Sequence, residues 1–340
     1  MDDDLKSLIE QTAELIDEEG QSSFDDANRV EKSLALIINQ INFPRRDYGM
    51  SEQSFERALR NIIGQIDSES EVESKFQDLI GELKEELGTS SKSQYSVAFA
   101  LPLELPSTES EYKYTFHNIP IEQISVDSWK EDYLNVAKED VSFGIRLEKS
   151  PYEVPEEGSF WVARVSSLDP GFAIEQTKFA LNTMLAELNF LHTYNRITNY
   201  WMPNSNPWPE SWSDILPPFS LLTFHNGDFI QAEFSGDARP RGPVEIEQQV
   251  ITAIDDLPRF NDTEHSVDRN LISGLHFFLS GITNPDRTSS FLDFWRGLEV
   301  LTLSEPGDSS GDIIDRAKTL VQPSDEEMFE GHIERIVNTR

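Results

Sequence analysis

The chain contains no cysteine. Disulfides, thiolate nucleophiles and thiolate metal sites are therefore excluded. Positive charge is scarce: 28 Lys and Arg stand against 62 Asp and Glu, and only 11 of the 28 are Lys. No run of about 18 apolar residues occurs, so no segment reads as a membrane span. The opening Met-Asp-Asp-Asp lacks the basic and apolar regions of a signal peptide. The spacings of a zinc protease, a P-loop, a dinucleotide fingerprint, a nucleophile elbow and a kinase are missing. None of the six His falls at a metal-ligand spacing. The stretch 307–312 lacks the bidentate Glu of a calcium loop. The sequence calls for no metal and no cofactor.

What is present is an ordinary globular composition under an extreme charge. The 340 residues are 37% hydrophobic and 10% aromatic, enough for real cores, and the net charge is −34. The acidic residues are spread along the chain rather than gathered in a tail. Such a surface repels itself in dilute buffer, and at molar salt the Debye length falls to about 3 Å and the repulsion fades. The reading is a cytoplasmic, halophilic protein. Acidity is then background and does not by itself argue against nucleic acid. Arg45-Arg46 and Arg239/Arg241 are the closest basic pairs.

Hydrophobic period divides the chain into three regions and predicts an α+β fold, mainly α. Residues 1–91 read as helices: one around Leu5 to Ile16, one from Val30 to Ile41, one from the cap Ser51 to Ile66, and one from Val72 to Leu87. Residues 92–262 are mixed. Tyr95 to Leu101, Tyr114 and Phe116, Phe143 to Leu147, and Phe160 to Val165 alternate as strands do. Asp169-Pro170 opens a strongly apolar helix, with Asp as cap and Pro at the first helical position. A stretch rich in Trp, Pro and Asn runs from Tyr194 to Pro218, either a binding surface or a loop wrapped over the core. Asn226-Gly227 between apolar runs predicts an antiparallel hairpin. The Arg-bearing loop 236–242 and a helix over 245–257 follow. Residues 263–340 read as four helices, with Leu271, Leu275, Phe278 and Ile282 on one stripe and Phe291, Phe294, Leu298 and Leu301 on the next.

Two charged residues fall on apolar stripes of that last region. Phe329, Ile333, Ile336 and Arg340 share one helical face, and Glu299 lies four residues after Trp295 and seven after Leu292. A charge on such a face needs a partner, because burying it alone costs several kcal/mol or more. The simplest inference pairs Glu299 with Arg340 across the bundle. That pair is either structural, or it is an acid orienting an Arg whose planar fork suits phosphate.

The run Phe291-Leu-Asp-Phe-Trp-Arg-Gly-Leu-Glu299, a polar loop, a short helix and then Ile333-Glu-Arg-Ile-Val-Asn-Thr-Arg340 resembles the HEPN family, specifically its Apea-like branch. The resemblance covers about residues 266–340. It implies a helical bundle and a metal-independent endoribonuclease, a toxin-like effector of a defence or stress system. In the family the RNA 2′-OH attacks the adjacent phosphate, an Arg stabilises the developing charge and a His follows that Arg. Arg340 matches the Arg and Glu299 the acid that supports it. No His follows Arg340 in these residues, and His332 precedes it at the wrong distance. The expectation is therefore a bundle truncated at its C-terminal end and inactive as it stands. The family also implies RNA as a partner and a homodimer formed through the bundle. The alternative it offers is a non-catalytic module that binds RNA or nucleotides, or another protein.

Overall fold

The structure, a computed structural model, describes residues 3–17, 19–66, 71–106, 112–116, 118–149, 158–199, 213, 215–234, 243–257, 266–302, 311–313 and 315–316. Its elements in chain order are α1 (Asp3–Ala13), α2 (Ala27–Gln40), α3 (Arg45–Tyr48), α4 (Glu52–Gly64), α5 (Val72–Thr89), β1 (Ser93–Leu101), β2 (Leu103–Glu104), β3 (Lys113–Phe116) and β4 (Ile119–Ile124). A continuous helical run follows: α6 (Val126–Ser128), a π-helical stretch (Trp129–Leu134) and α7 (Asn135–Glu139). Then come α8 (Val141–Lys149), β5 (Ser159–Ser167), α9 (Pro170–Asn199), β6 (Ser220–His225), β7 (Asp228–Phe234), β8 (Val244–Glu245), α10 (Gln248–Asp256), α11 (Ser266–Thr283) and α12 (Arg287–Thr302). The chain is mixed α+β around an antiparallel sheet, as its periodicity predicts.

The N-terminal helices bury one stripe each. Val30, Leu34 and Ile37 of α2 and Phe55, Leu59, Ile62 and Ile63 of α4 recur at helical spacing. Apart from Phe55, they join Leu5, Ile9, Phe76 and Ile80 in one core. Ser51 caps α4, its hydroxyl accepting from the Ser54 amide at 3.2 Å.

The sheet has strand order β3-β4-β5-β1-β6-β7, and every neighbouring pair is antiparallel. Alternation along the strands gives it two buried faces. Val97, Phe99 and Leu101 of β1, with Ile121, Trp161 and Leu221, pack under α9, whose Leu181, Met184, Leu185 and Leu188 complete the core. Ala98 and Ala100 face the other way. Their small side chains leave room for Trp129 and Phe143 from the helical segments between β4 and β5. Trp129 stacks on Phe160 at 5.4 Å between centroids. The molecule is thus a sheet with helices on both faces.

Helix α9 is the shared wall of the molecule. Its start follows the predicted code: Asp169 accepts from the Phe172 amide at 2.9 Å, with Pro170 at the first position. The other Asp169 oxygen accepts from the Ser51 amide at 2.9 Å, and Glu175 on α9 pairs with Arg45 at 2.7 Å. These contacts tie the N-terminal helices to the sheet layer. Arg45 is therefore engaged within the fold, with Glu52 as a second carboxylate at 3.3 Å.

Several expectations are corrected. Phe143, Ile145 and Leu147 lie on a helix, α8, and not on a strand. Asp140 decides this by accepting from the Phe143 amide at 2.9 Å, a cap that starts a helix whatever the apolar alternation. Phe143 is buried, while Ile145 is about half exposed. Strand β4 was hidden by Pro120, which faces Thr115 in the ladder. The stretch expected as loop from Tyr194 is still helical to Asn199. The helix expected over 245–257 begins at Gln248, because Val244 and Glu245 pair with Leu103 and Glu104 as a parallel ladder. Arg239, Arg241 and most of the Trp-rich stretch lie outside the described residues.

Candidate functional site

The region that carries the predicted site is an antiparallel pair of helices, α11 and α12, joined by a short turn. Asp286 begins α12, accepting from the Ser289 amide at 2.8 Å. These bonds hold the Asp286 carboxyl below the usual carboxylate range. The helices approach closely because glycines stand where they cross. A Cβ on Gly281 would lie 3.0 Å from the Phe294 ring, and one on Gly274 would lie 2.9 Å from the Leu301 side chain. Gly297 of α12 answers from the other side, facing Phe277. Polar ties add register: Ser280 donates to Asp293 at 2.6 Å, and Ser290 donates to the Gly281 carbonyl at 2.6 Å.

Glu299 sits on α12 at intermediate exposure. Its carboxylate accepts from the indole Nε1 of Trp295 at 2.5 Å, one helical turn earlier. That bond fixes the side chain along the helix and occupies one oxygen. Arg340 lies outside the described residues, so the structure brings Glu299 to Trp295 and leaves the Glu299–Arg340 pairing as an expectation. The helix carrying Glu299 is also less acidic than the chain as a whole. Over 266–302, Arg269, Arg287 and Arg296 stand against Asp268, Asp286, Asp293 and Glu299, a net of −1. Arg296 lies 3.5 Å from Asp293.

Behind the hairpin runs a buried polar seam that the sequence did not announce. Ile272, Leu279 and Ile282 of α11 enter the core beneath α9. Among them the Nε2 of His276 meets the Thr183 hydroxyl at 2.9 Å, and its ring stands edge-on to Phe179 at 5.0 Å. Burial pushes the His276 pKa down to about 4, partly opposed by a hydrogen bond with the Phe179 backbone. The ring is therefore neutral near pH 7. His276 is thus packed in the core between α9 and α11. One turn further along α9, the buried carboxylate of Glu187 accepts from the Tyr114 hydroxyl at 2.9 Å. Thr183 and Glu187 are spaced i, i+4, so one face of α9 presents both polar groups. The signal in the sequence is a pair of polar residues, four apart, on an otherwise apolar helix.

Compared with protein-family models, curated proteins and solved structures, the chain matches none of them.

Proposed function

We propose that residues 263–340 form a HEPN-like module that engages RNA through phosphate, with Arg340 as the phosphate-binding group and Glu299 as the acid that orients it. The observation carrying this reading is Glu299 itself. It is a partly enclosed carboxylate, held to one position by the Trp295 indole, on a helix pinned by glycine contacts. A carboxylate so placed has its second oxygen available for a guanidinium, whose remaining donors match phosphate oxygens in pairs. In such a site the chemistry is metal-independent cleavage. The RNA 2′-OH attacks its own phosphate, the Arg stabilises charge on the non-bridging oxygens, and a proton leaves the attacking hydroxyl as another reaches the leaving oxygen. The second reading, a module that binds RNA without cutting it, shares every feature except the proton-transfer group.

The test uses the full chain, single-stranded RNA and molar KCl with a chelator present. The reading expects RNA binding that weakens about tenfold or more in Arg340→Ala and several-fold in Glu299→Gln. Cleavage lost in Arg340→Ala supports the nuclease, and binding without cleavage supports the non-catalytic module. No RNA binding by the parent chain, or equal binding by both variants, overturns the proposal.

A further inference from the structure

A cleft of about 450 Å³ opens on the sheet face opposite α9, well away from the α11–α12 hairpin. Its origin is local. The helical cover between β4 and β5 lies over Ala98, Ala100, Phe160 and Leu222. One row further along the sheet, Ser96 is flanked by Arg164 on β5 and Phe224 on β6. There the cover lifts away, leaving Ser96 as the floor beside the buried Phe224. Glu131, Asp132, Tyr133 and Val136 form the wall, and Gly227 of the β6–β7 turn forms the rim. The volume lies within the range of small-molecule sites, about 300–1,000 Å³.

Two irregularities and the β6–β7 turn meet at this place. The wall is the π-helical stretch Trp129–Leu134, and single π-turns concentrate at functional sites because they re-aim side chains at a cost in hydrogen-bond geometry. Strand β6, beside the floor, carries a register shift between Thr223 and Phe224, a bulge of the kind that redirects a side chain beside a site. The rim is a tight turn with φ of 53° at Asn226 and 89° at Gly227.

The lining favours one ligand chemistry. Tyr133 stands edge-on to Phe224 at 5.1 Å, so two aromatic rings meet at a corner. Glu131 and Asp132 are exposed and form no ion pair among the described residues; Asp132 accepts only from the Ser128 hydroxyl, at 2.5 Å. The nearest guanidinium, Arg164, is taken by Glu122, which Lys113 also holds at 2.9 Å. Burial raises the Tyr133 pKa, with Arg164 drawing it partly back, so the ring stays a neutral phenol. Among the described residues the cleft therefore offers two carboxylates without an ion pair beside the Tyr133 ring, and its lining holds no cation. Anions are repelled, and a metal ion finds no desolvated ligand cage in two exposed carboxylates. We propose that this cleft binds a compact organic cation of the alkylammonium class, its charge against Glu131 and Asp132 and its apolar skirt against the half-buried Tyr133 ring. Aromatic faces beside carboxylates are how such cations are held.

The experiment is fluorine NMR of the full chain labelled with fluorotyrosine, with the Tyr133 signal assigned from Tyr133→Phe. Tetramethylammonium chloride replaces KCl stepwise at constant molar ionic strength. The proposal expects a saturable shift of the Tyr133 signal, with half-saturation raised at least tenfold in the double variant Glu131→Gln/Asp132→Asn. Both positions are exposed, so that variant keeps its fold, and an unchanged melting temperature checks it. Neopentyl alcohol, a neutral molecule of similar shape, should leave the signal in place. A linear, non-saturating drift, equal response to the alcohol, or an unchanged response in the double variant overturns the proposal. A saturable response to KCl alone, measured by exchange against LiCl, would make the cleft an inorganic cation site and overturn it too.

Discussion

His276 is an enclosed residue whose titration opposes folding in acid. Burial holds its ring neutral when folded, with a pKa of about 4 against the ordinary 6.5 of the imidazole. The unfolded chain takes up the proton first, so stability is fully present above about pH 6.5 and is lost as pH falls toward 4. A shift of this size corresponds to about 3 kcal/mol at its limit. His276→Gln keeps a hydrogen-bonding group for Thr183 and removes the titration. It should unfold at lower denaturant than the parent at pH 7 and show a shallower fall between pH 6.5 and 4. Denaturant midpoints across that range, at fixed molar KCl, give the difference. Equal slopes would mean that the carboxylates alone carry the acid transition.

Among the elements, local chemical codes could be read from the sequence and long-range arrangements could not. Asp169-Pro170, Ser51 and Asn226-Gly227 each write a cap or a turn within four residues, and each stands as expected. Phe143 to Leu147 misled because alternation of three apolar residues fits a strand, while the deciding bond comes from Asp140, outside the pattern. Glu299 reads from sequence as a charge on an apolar stripe to be paired with Arg340, and the partner the described residues show is the Trp295 indole, one turn earlier. The seam of Thr183, His276, Glu187 and Tyr114 joins α9 to α11 and β3 across up to about ninety positions, and no local spacing encodes it. The cleft is less legible still, since a π-helical stretch has no periodic signature. The glycines make the elements testable. Gly64 and Gly81 both lie in helices of the N-terminal unit. A Cβ at Gly64 would lie 2.2 Å from the Asp17 carbonyl oxygen, whereas a Cβ at Gly81 meets nothing within 4 Å. Gly81→Ala should therefore stabilise by up to about 1 kcal/mol through helix propensity. Gly64→Ala should destabilise by about 2 kcal/mol or more, because backbone must move. Opposite signs in thermal unfolding are required; a shared sign would break the packing argument.

For the whole molecule, charge outweighs any single contact. A net charge of −34 on 340 residues leaves most carboxylates without a cation to face. Among the described residues the ion pairs run from Arg45 with Glu175, which joins two layers, to Lys113 with Glu122 across neighbouring strands, and an exposed pair like the second contributes at most about 1 kcal/mol. Salt weakens those pairs, but it also screens a repulsion summed over the entire surface. Raising KCl from 0.1 M to 1 M shortens the Debye length from about 10 Å to about 3 Å, less than the spacing between most surface charges. The repulsive sum is the larger quantity, so screening should win. The melting temperature should climb steeply with KCl up to the molar range and then level off as screening saturates. Potassium and tetramethylammonium chloride should act alike on this bulk effect, because screening depends on ionic strength and not on the identity of the cation. A cation-specific gain above the common curve, present in the parent chain and absent in Glu131→Gln/Asp132→Asn, is then binding at the cleft by mass action. A melting temperature that falls or stays flat with KCl would mean that the retained pairs dominate, and the halophilic reading of the acidic surface would fail.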